Sequence, residues 1–154
     1  MKAVGFVLAV CLLGSCSRAD IELAGGEFTN SSHWDGRWIL INYWAEWCAP
    51  CRAEIPELNE LHSQRVQKGI VVLGVNYDGL TGDKLTSLMQ AMGITFPVLA
   101  IDPKVRYGYD LPVVLPTTVV VGPDGKVAAT LTGPQTAQTL LAAIGAHEAD
   151  LQDH

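Results

Sequence analysis

A chain of 154 residues, 49% hydrophobic and 17% charged, can bury one sizeable core and is not disordered by composition. Its formal charge of −6 and its ten scattered basic residues exclude the basic stripe that nucleic-acid binding needs. An acidic surface of this kind keeps a domain soluble and names no partner.

The first informative segment is N-terminal. Lys2 precedes an apolar run over residues 3–13, too short to cross a bilayer as an ordinary helix, which reads as a secretory signal. The run ends Leu13-Gly14-Ser15-Cys16. That resembles the bacterial lipobox, in which the peptide is cut before the cysteine and the cysteine is acylated. Small residues admit the peptidase, the thiol accepts lipid, and several acyl chains anchor stably where one is marginal. Cys11 fits the pattern badly, because Val10 precedes it. Residues 1–15 are expected to be a lipoprotein signal peptide, Cys16 the lipidation site and residues 16–20 a tether. A plain signal peptide and an uncleaved anchor helix are the alternatives. Ser17 stands after Cys16 in place of Asp, which by resemblance to enterobacterial sorting rules favours the outer membrane. With Cys11 removed and Cys16 acylated, Cys48 and Cys51 are the thiols left to react. One close pair is a poor scaffold but suits redox chemistry, and an oxidising compartment permits a disulfide between them.

Residues 21–28 read as a weak hairpin around Gly25-Gly26, and Asn30 to His33 as a turn or helix start. Residues 39–45 are mostly apolar and predict a strand buried on both faces. A helix is expected over 50–68, with Ile55, Leu58 and Leu61 on one face and Gly69 as its stop. Residues 70–76 predict a second buried strand. Thr81 opens a helix with Leu85, Leu88, Met89 and Met92 inward and Gly93 near its end. Residues 96–101 are extended and 102–109 a short helix or turn. Strands over 117–121 and 127–131 flank the turn at Pro123-Asp124-Gly125-Lys126. A last helix covers 136–146, and residues 148–154 form a polar tail that frays. The fold class is α/β: a mixed central sheet with helices on both faces, one domain over 21–147.

The strand over 39–45 runs through Glu46-Trp47 into Cys48-Ala49-Pro50-Cys51 and then a helix. Cys48 falls at or near the N-cap, where free N–H groups and the helix dipole stabilise a thiolate. Pro50 falls in the first turn, where its missing N–H costs nothing. Cys51, one turn on, brings the sulfurs within disulfide reach, roughly 5–6 Å between Cα atoms. Cys48 is expected at the exposed rim with Cys51 behind it, so Cys48 attacks a partner's sulfur and Cys51 resolves the mixed disulfide. A structural zinc needs four ligands, and His33, His62, His147 and His154 are too scattered to complete a set. No metal, and no cofactor beyond the Cys48–Cys51 disulfide, is therefore expected. A purely structural disulfide closing so small a loop would contribute little.

The run Asn42-Tyr43-Trp44-Ala45-Glu46-Trp47-Cys48-Ala49-Pro50-Cys51-Arg52-Ala53-Glu54-Ile55-Pro56 resembles the active-site segment of the thioredoxin superfamily, in particular its TlpA/ResA/DsbE-like branch of exported thiol-disulfide oxidoreductases. Thioredoxins carry a buried Asp six residues before the first cysteine; here that position is Asn42, which cannot titrate. In the ResA-like branch a Glu at the position of Glu54 tunes the cysteine pair. Glu54 lies one turn beyond Cys51 and is placed to take the proton Cys51 must lose. An ordinary solvated carboxylate, or one paired with Arg52, is the bland alternative. The resemblance also implies a cis Leu115–Pro116 bond facing the disulfide, with the Leu115 backbone free to pair with an extended partner segment. A trans proline entering an edge strand is the alternative there. Trp47, with Ala49 and Pro50, is expected at an apolar rim for partners, and Trp44 in the core. Tyr77, Asp78 and residues 80–93 resemble the helical insert of this branch.

The resemblance implies a monomeric envelope protein exchanging electrons with protein thiols and disulfides. Ala49-Pro50 lacks the His found between the cysteines of strongly oxidising relatives, which favours a reducing role. Such a reductant needs re-reduction by a membrane electron carrier of the DsbD/CcdA kind, and cytochrome c maturation is one role in the family. The alternatives are a peroxiredoxin-like peroxidase, whose Pro-x-x-x-Thr-x-x-Cys setting is absent, and a non-catalytic binding module.

Overall fold

The computed structural model describes residues 19–152; the signal peptide expected over residues 1–15 and the lipidation expected at Cys16 fall outside the described residues. Two seven-residue strands form its centre. β3 (Trp38–Trp44) and β4 (Ile70–Asn76) are buried at every position and pair in parallel, with Trp38 opposite Ile70 and Trp44 opposite Asn76. Continuous apolar runs are what a parallel pair covered on both faces requires. Around them the main sheet takes the order β5-β4-β3-β6-β7, with β5 (Val98–Leu99) parallel to β4, β6 (Thr117–Val121) antiparallel to β3 and β7 (Val127–Thr132) antiparallel to β6. The expected extended piece at 96–101 thus shrinks to a two-residue strand, with Pro97 contributing only its carbonyl, to Gly74 N at 2.8 Å.

Alternation along the strands divides the core in two. Leu40, Trp44, Val72 and Val120 meet the three long helices: α1 (Ala49–Ser63), α3 (Gly82–Met92) and α5 (Ala137–Gln152). Ile39, Ile41, Tyr43, Leu73, Val119 and Val121 face the other way. That second face is covered by lighter parts: Ile21 of β1 (Ile21–Glu22), which pairs with β2 (Phe28–Thr29), Trp34 of a 3-10 turn over Ser31–Trp34, and Tyr107 of α4 (Lys104–Tyr107).

Three boundaries differ from the sequence expectation. The helix predicted over 50–68 ends at Ser63, and a separate turn, α2 (Arg65–Lys68), follows Gln64 and stops at Gly69 in the left-handed region. The last helix continues past Ala146 to Gln152, so residues 148–152 are helical rather than a frayed tail. Trp38 explains the extension: its Nε1 donates to Glu148 Oε1 at 3.0 Å, and its ring stands edge-on to His147. At the other end Asp20 is no loose tether. Its N–H donates to Thr29 O at 3.0 Å and its carboxylate takes Ser31 N, Ser31 Oγ and Arg106 Nη1 at 2.7, 2.6 and 3.1 Å. The two Ser31 bonds and Arg106 hold that carboxyl down to about 2.

Candidate active site

β3 ends at Trp44, and the chain turns so that Cys48 N donates to Ala45 O at 3.2 Å. Cys48 is the N-cap of α1, with an extended backbone, and its Sγ accepts from Cys51 N at 3.2 Å. The sulfur therefore occupies the place a capping oxygen takes elsewhere, facing free N–H groups at the positive end of the dipole. Pro50 lies in the first turn, as expected. Cys48 and Cys51 form a disulfide with their Cα atoms 5.3 Å apart.

One expectation is corrected. Cys48 is not at the exposed rim: it is 4% exposed, while Cys51 is fully buried. With the disulfide closed, Cys48 belongs to the same apolar cluster as Trp44, Ala45 and Ile55, against which Leu115 packs. The rim is made by its neighbours. Trp47 is 64% exposed, Ala49 and Pro50 are exposed, and the Trp47 indole N–H donates to Asp78 Oδ1 at 3.1 Å. Trp44 lies in the core, as read from the sequence.

Glu54 is also not an ordinary surface carboxylate. It is 2% exposed, and Arg52 instead donates to the Glu46 carbonyl. Glu54 Oε1 accepts from Asn42 Nδ2 at 2.7 Å and Oε2 accepts from Gln135 N at 2.8 Å. Asn42 Nδ2 also donates to Thr118 Oγ1 at 3.0 Å. Burial pushes the Glu54 carboxyl above the usual carboxylate range, against the Gln135 and Asn42 donors, which pull it down. Strand, helix and the segment entering α5 thus meet on one carboxyl group, one turn from Cys51.

The Leu115–Pro116 bond is cis. Pro116 is buried and lies one step beyond the Tyr43–Thr117 register pair, beside the end of β3 that carries Cys48. Its carbonyl accepts from Gly133 N at 2.8 Å, whereas the Leu115 N–H and C=O have no hydrogen-bond partner among the described residues.

Sequence reasoning missed Thr118 and Gln135. Thr118 faces the same way as Asn42, its register partner across the β3–β6 pair, and that pairing was the only signal for it. Gln135 acts through its backbone, which leaves no trace in residue type.

A mixed five-stranded sheet whose central strand leads into a helix capped by a cysteine pair defines a thioredoxin-like protein with a redox disulfide. The AhpC/TSA family pattern matches residues 15–130, and the chain belongs to that family. It is 38% identical over 119 residues to the thiol:disulfide interchange protein HelX of Rhodobacter capsulatus, covering 75% of this chain and 65% of that one. It is 32% identical over 117 residues to the thiol-disulfide oxidoreductase ResA of Bacillus subtilis, covering 75% of this chain and 64% of that protein. The chain thus spans just under two thirds of the length of these curated relatives. Among solved structures, a DsbF homologue from Corynebacterium diphtheriae matches with a TM-score of 0.67 and 26% identity over 81% of each chain.

Proposed function

We propose that the protein is a thiol-disulfide oxidoreductase that reduces disulfides of other proteins. The observation that carries this reading is the Cys48–Cys51 disulfide at the N-cap of α1, with the buried Glu54 carboxyl one turn behind it. In the reduced protein the Cys48 thiolate attacks one sulfur of a partner's disulfide, forming a mixed disulfide and releasing the partner's other sulfur as a thiolate. Glu54 takes the Cys51 proton; the electron pair left on Cys51 attacks Cys48 Sγ, closing the Cys48–Cys51 disulfide and expelling the partner's sulfur as a thiolate, which Glu54 or water then protonates. The partner gains two electrons and this pair loses them.

Trp47, Ala49 and Pro50 supply the contact rim, and the unpaired Leu115 backbone, held by Pro116, suits an extended partner segment. The Ala49-Pro50 pair, without a cation between the sulfurs, supports the reducing direction. The protein works on the outer side of the bacterial membrane, anchored by lipid on Cys16 and favoured in the outer membrane by Ser17. A DsbD/CcdA-type carrier re-reduces it, and envelope thiols, including those of cytochrome c maturation, are its substrates. It acts as a monomer.

Insulin reduction by the parent, absent in Cys48→Ser, tests the activity. A Cys51→Ser variant should trap its partner as a mixed disulfide on Cys48. Peroxide consumption without disulfide reductase activity would replace this reading with the peroxidase one. A reduction potential near that of strong oxidants, about −120 mV, would reverse the direction.

A further inference from the structure

The hydrogen bonds around Glu54 leave one atom without a partner. Asn42 is fully buried on β3, and both hydrogen bonds of its side-chain amide use Nδ2, to Glu54 Oε1 at 2.7 Å and Thr118 Oγ1 at 3.0 Å. Its Oδ1 is buried and unpaired. An unmet buried acceptor is costly, and a fold that keeps one invites the question of when it is used.

The chemistry of proton transfer supplies an answer. As a carboxylate, Glu54 accepts at both oxygens, from Asn42 Nδ2 and from Gln135 N. Once it holds a proton, its O–H meets one of those N–H groups, donor against donor. The Gln135 N–H belongs to the backbone and cannot invert. The Asn42 amide can, because its donor and acceptor ends have nearly the same shape. Thr118 permits either orientation, since a hydroxyl accepts from Nδ2 or donates to Oδ1.

We propose that Asn42 is a positioning residue for the proton transfer: its Nδ2 holds Glu54 as the carboxylate that receives the Cys51 proton, and its amide then turns so that Oδ1 accepts the new Glu54 O–H. The inference rests on the role of Glu54 stated above. In the step itself the Cys51 S–H bond breaks, the Glu54 O–H bond forms, and the electron pair stays on Cys51 Sγ for attack on Cys48. Glu54 later returns the proton to the departing partner thiolate or to water. The titratable neighbours on α1 are Cys48, Cys51 and Glu57, whose Oε2 accepts from Ala137 N at 2.9 Å. β3 and β6 present Asn42 and Thr118, the segment entering α5 presents the Gln135 N–H, and no cation contributes to the Glu54 shift.

Two measurements test this. In the reduced parent, NMR should show the Asn42 side-chain NH2 resonances titrating with the same midpoint as the Glu54 carboxyl carbon. Asn42 resonances that stay fixed through that titration overturn the proposal, whatever the stability of any variant. In the second, the protein carries 2-nitro-5-thiobenzoate on Cys48, and its release reports attack by Cys51. Asn42→Leu should move the acid limb of the release rate up by a pH unit or more, about tenfold in rate at a fixed pH on the limb. Uniform slowing with an unmoved midpoint would mean that Asn42 only packs, and the proposal fails. Glu54→Gln separates the two levels. If it keeps the parent's profile, the role of Glu54 itself falls. If it removes the limb while Asn42→Leu leaves the limb in place, only the role of Asn42 falls.

Discussion

Burial and hydrogen bonding act on Glu54 in opposite directions, and burial prevails. The folded state therefore holds its proton to higher pH than the unfolded chain does. The stability this contributes is fully present below the unfolded value of about 4.3 and is lost as pH rises towards the raised folded value. Glu54→Gln cannot titrate. Thermal unfolding between pH 4 and 8 should show the parent losing ground to Glu54→Gln as pH rises through that window; parallel curves would contradict it. The position of Glu54 was legible because i, i+3 spacing on a helix is a local rule. Its surroundings were not. Thr118 lies 76 residues from Asn42 and Gln135 lies 81 from Glu54, so their meeting is a property of the fold. The burial of Cys48 was likewise illegible, since an N-cap position says nothing of what packs over it.

At the scale of elements, β4 shows how tightly the sheet supports the site. Gly74 has an ordinary backbone, but a Cβ there would stand 2.9 Å from Phe96 Cε2, 2.9 Å from Val98 Cγ2 and 3.0 Å from Trp44 Nε1. Three side chains close over this one position, and Trp44 among them ends the strand that launches the Cys48 loop. Gly74→Ala should destabilise by about 1–3 kcal/mol, the usual penalty for forcing atoms into a filled core. A urea titration followed by circular dichroism measures it, and an unchanged midpoint would show that Phe96 and Val98 yield freely. The main strands and long helices were readable from apolar runs and periodicity. The end of α5 was not, because the Trp38–Glu148 bond joins residues 110 apart.

For the whole molecule, the asymmetry of the two faces sets an order of local stability. Three long helices cover one side of the sheet, while two-residue strands, a 3-10 turn and the single turn α4 cover the other. Short elements hold few buried contacts and open at lower cost. Native-state hydrogen exchange should find the β1–β2 hairpin and α4 exchanging by local opening, with β3 and β4 exchanging only through global unfolding. Equal protection across these groups would refute that ordering. Sequence reading captured the mixed sheet and its helices on both sides, but not how unequally the sides are covered, since the light elements carry weak local signals.

The anchoring of Asp20 has a geometric consequence. β3, β4 and β5 run in parallel, so their C-terminal ends, including the one that carries Cys48, share one edge of the sheet. Leu23 bridges Leu99 antiparallel and Ala100 N donates to Glu22 O, so the chain traced back from Leu23 to Asp20 heads towards that same edge. Four peptide steps separate Asp20 from Cys16, a reach of about 14 Å at full extension. With the acyl chains proposed on Cys16, the redox end of the domain is leashed close to the bilayer surface. Under the proposed function, a carrier that re-reduces the pair and the partners that it reduces must all come within that short reach of the anchoring membrane.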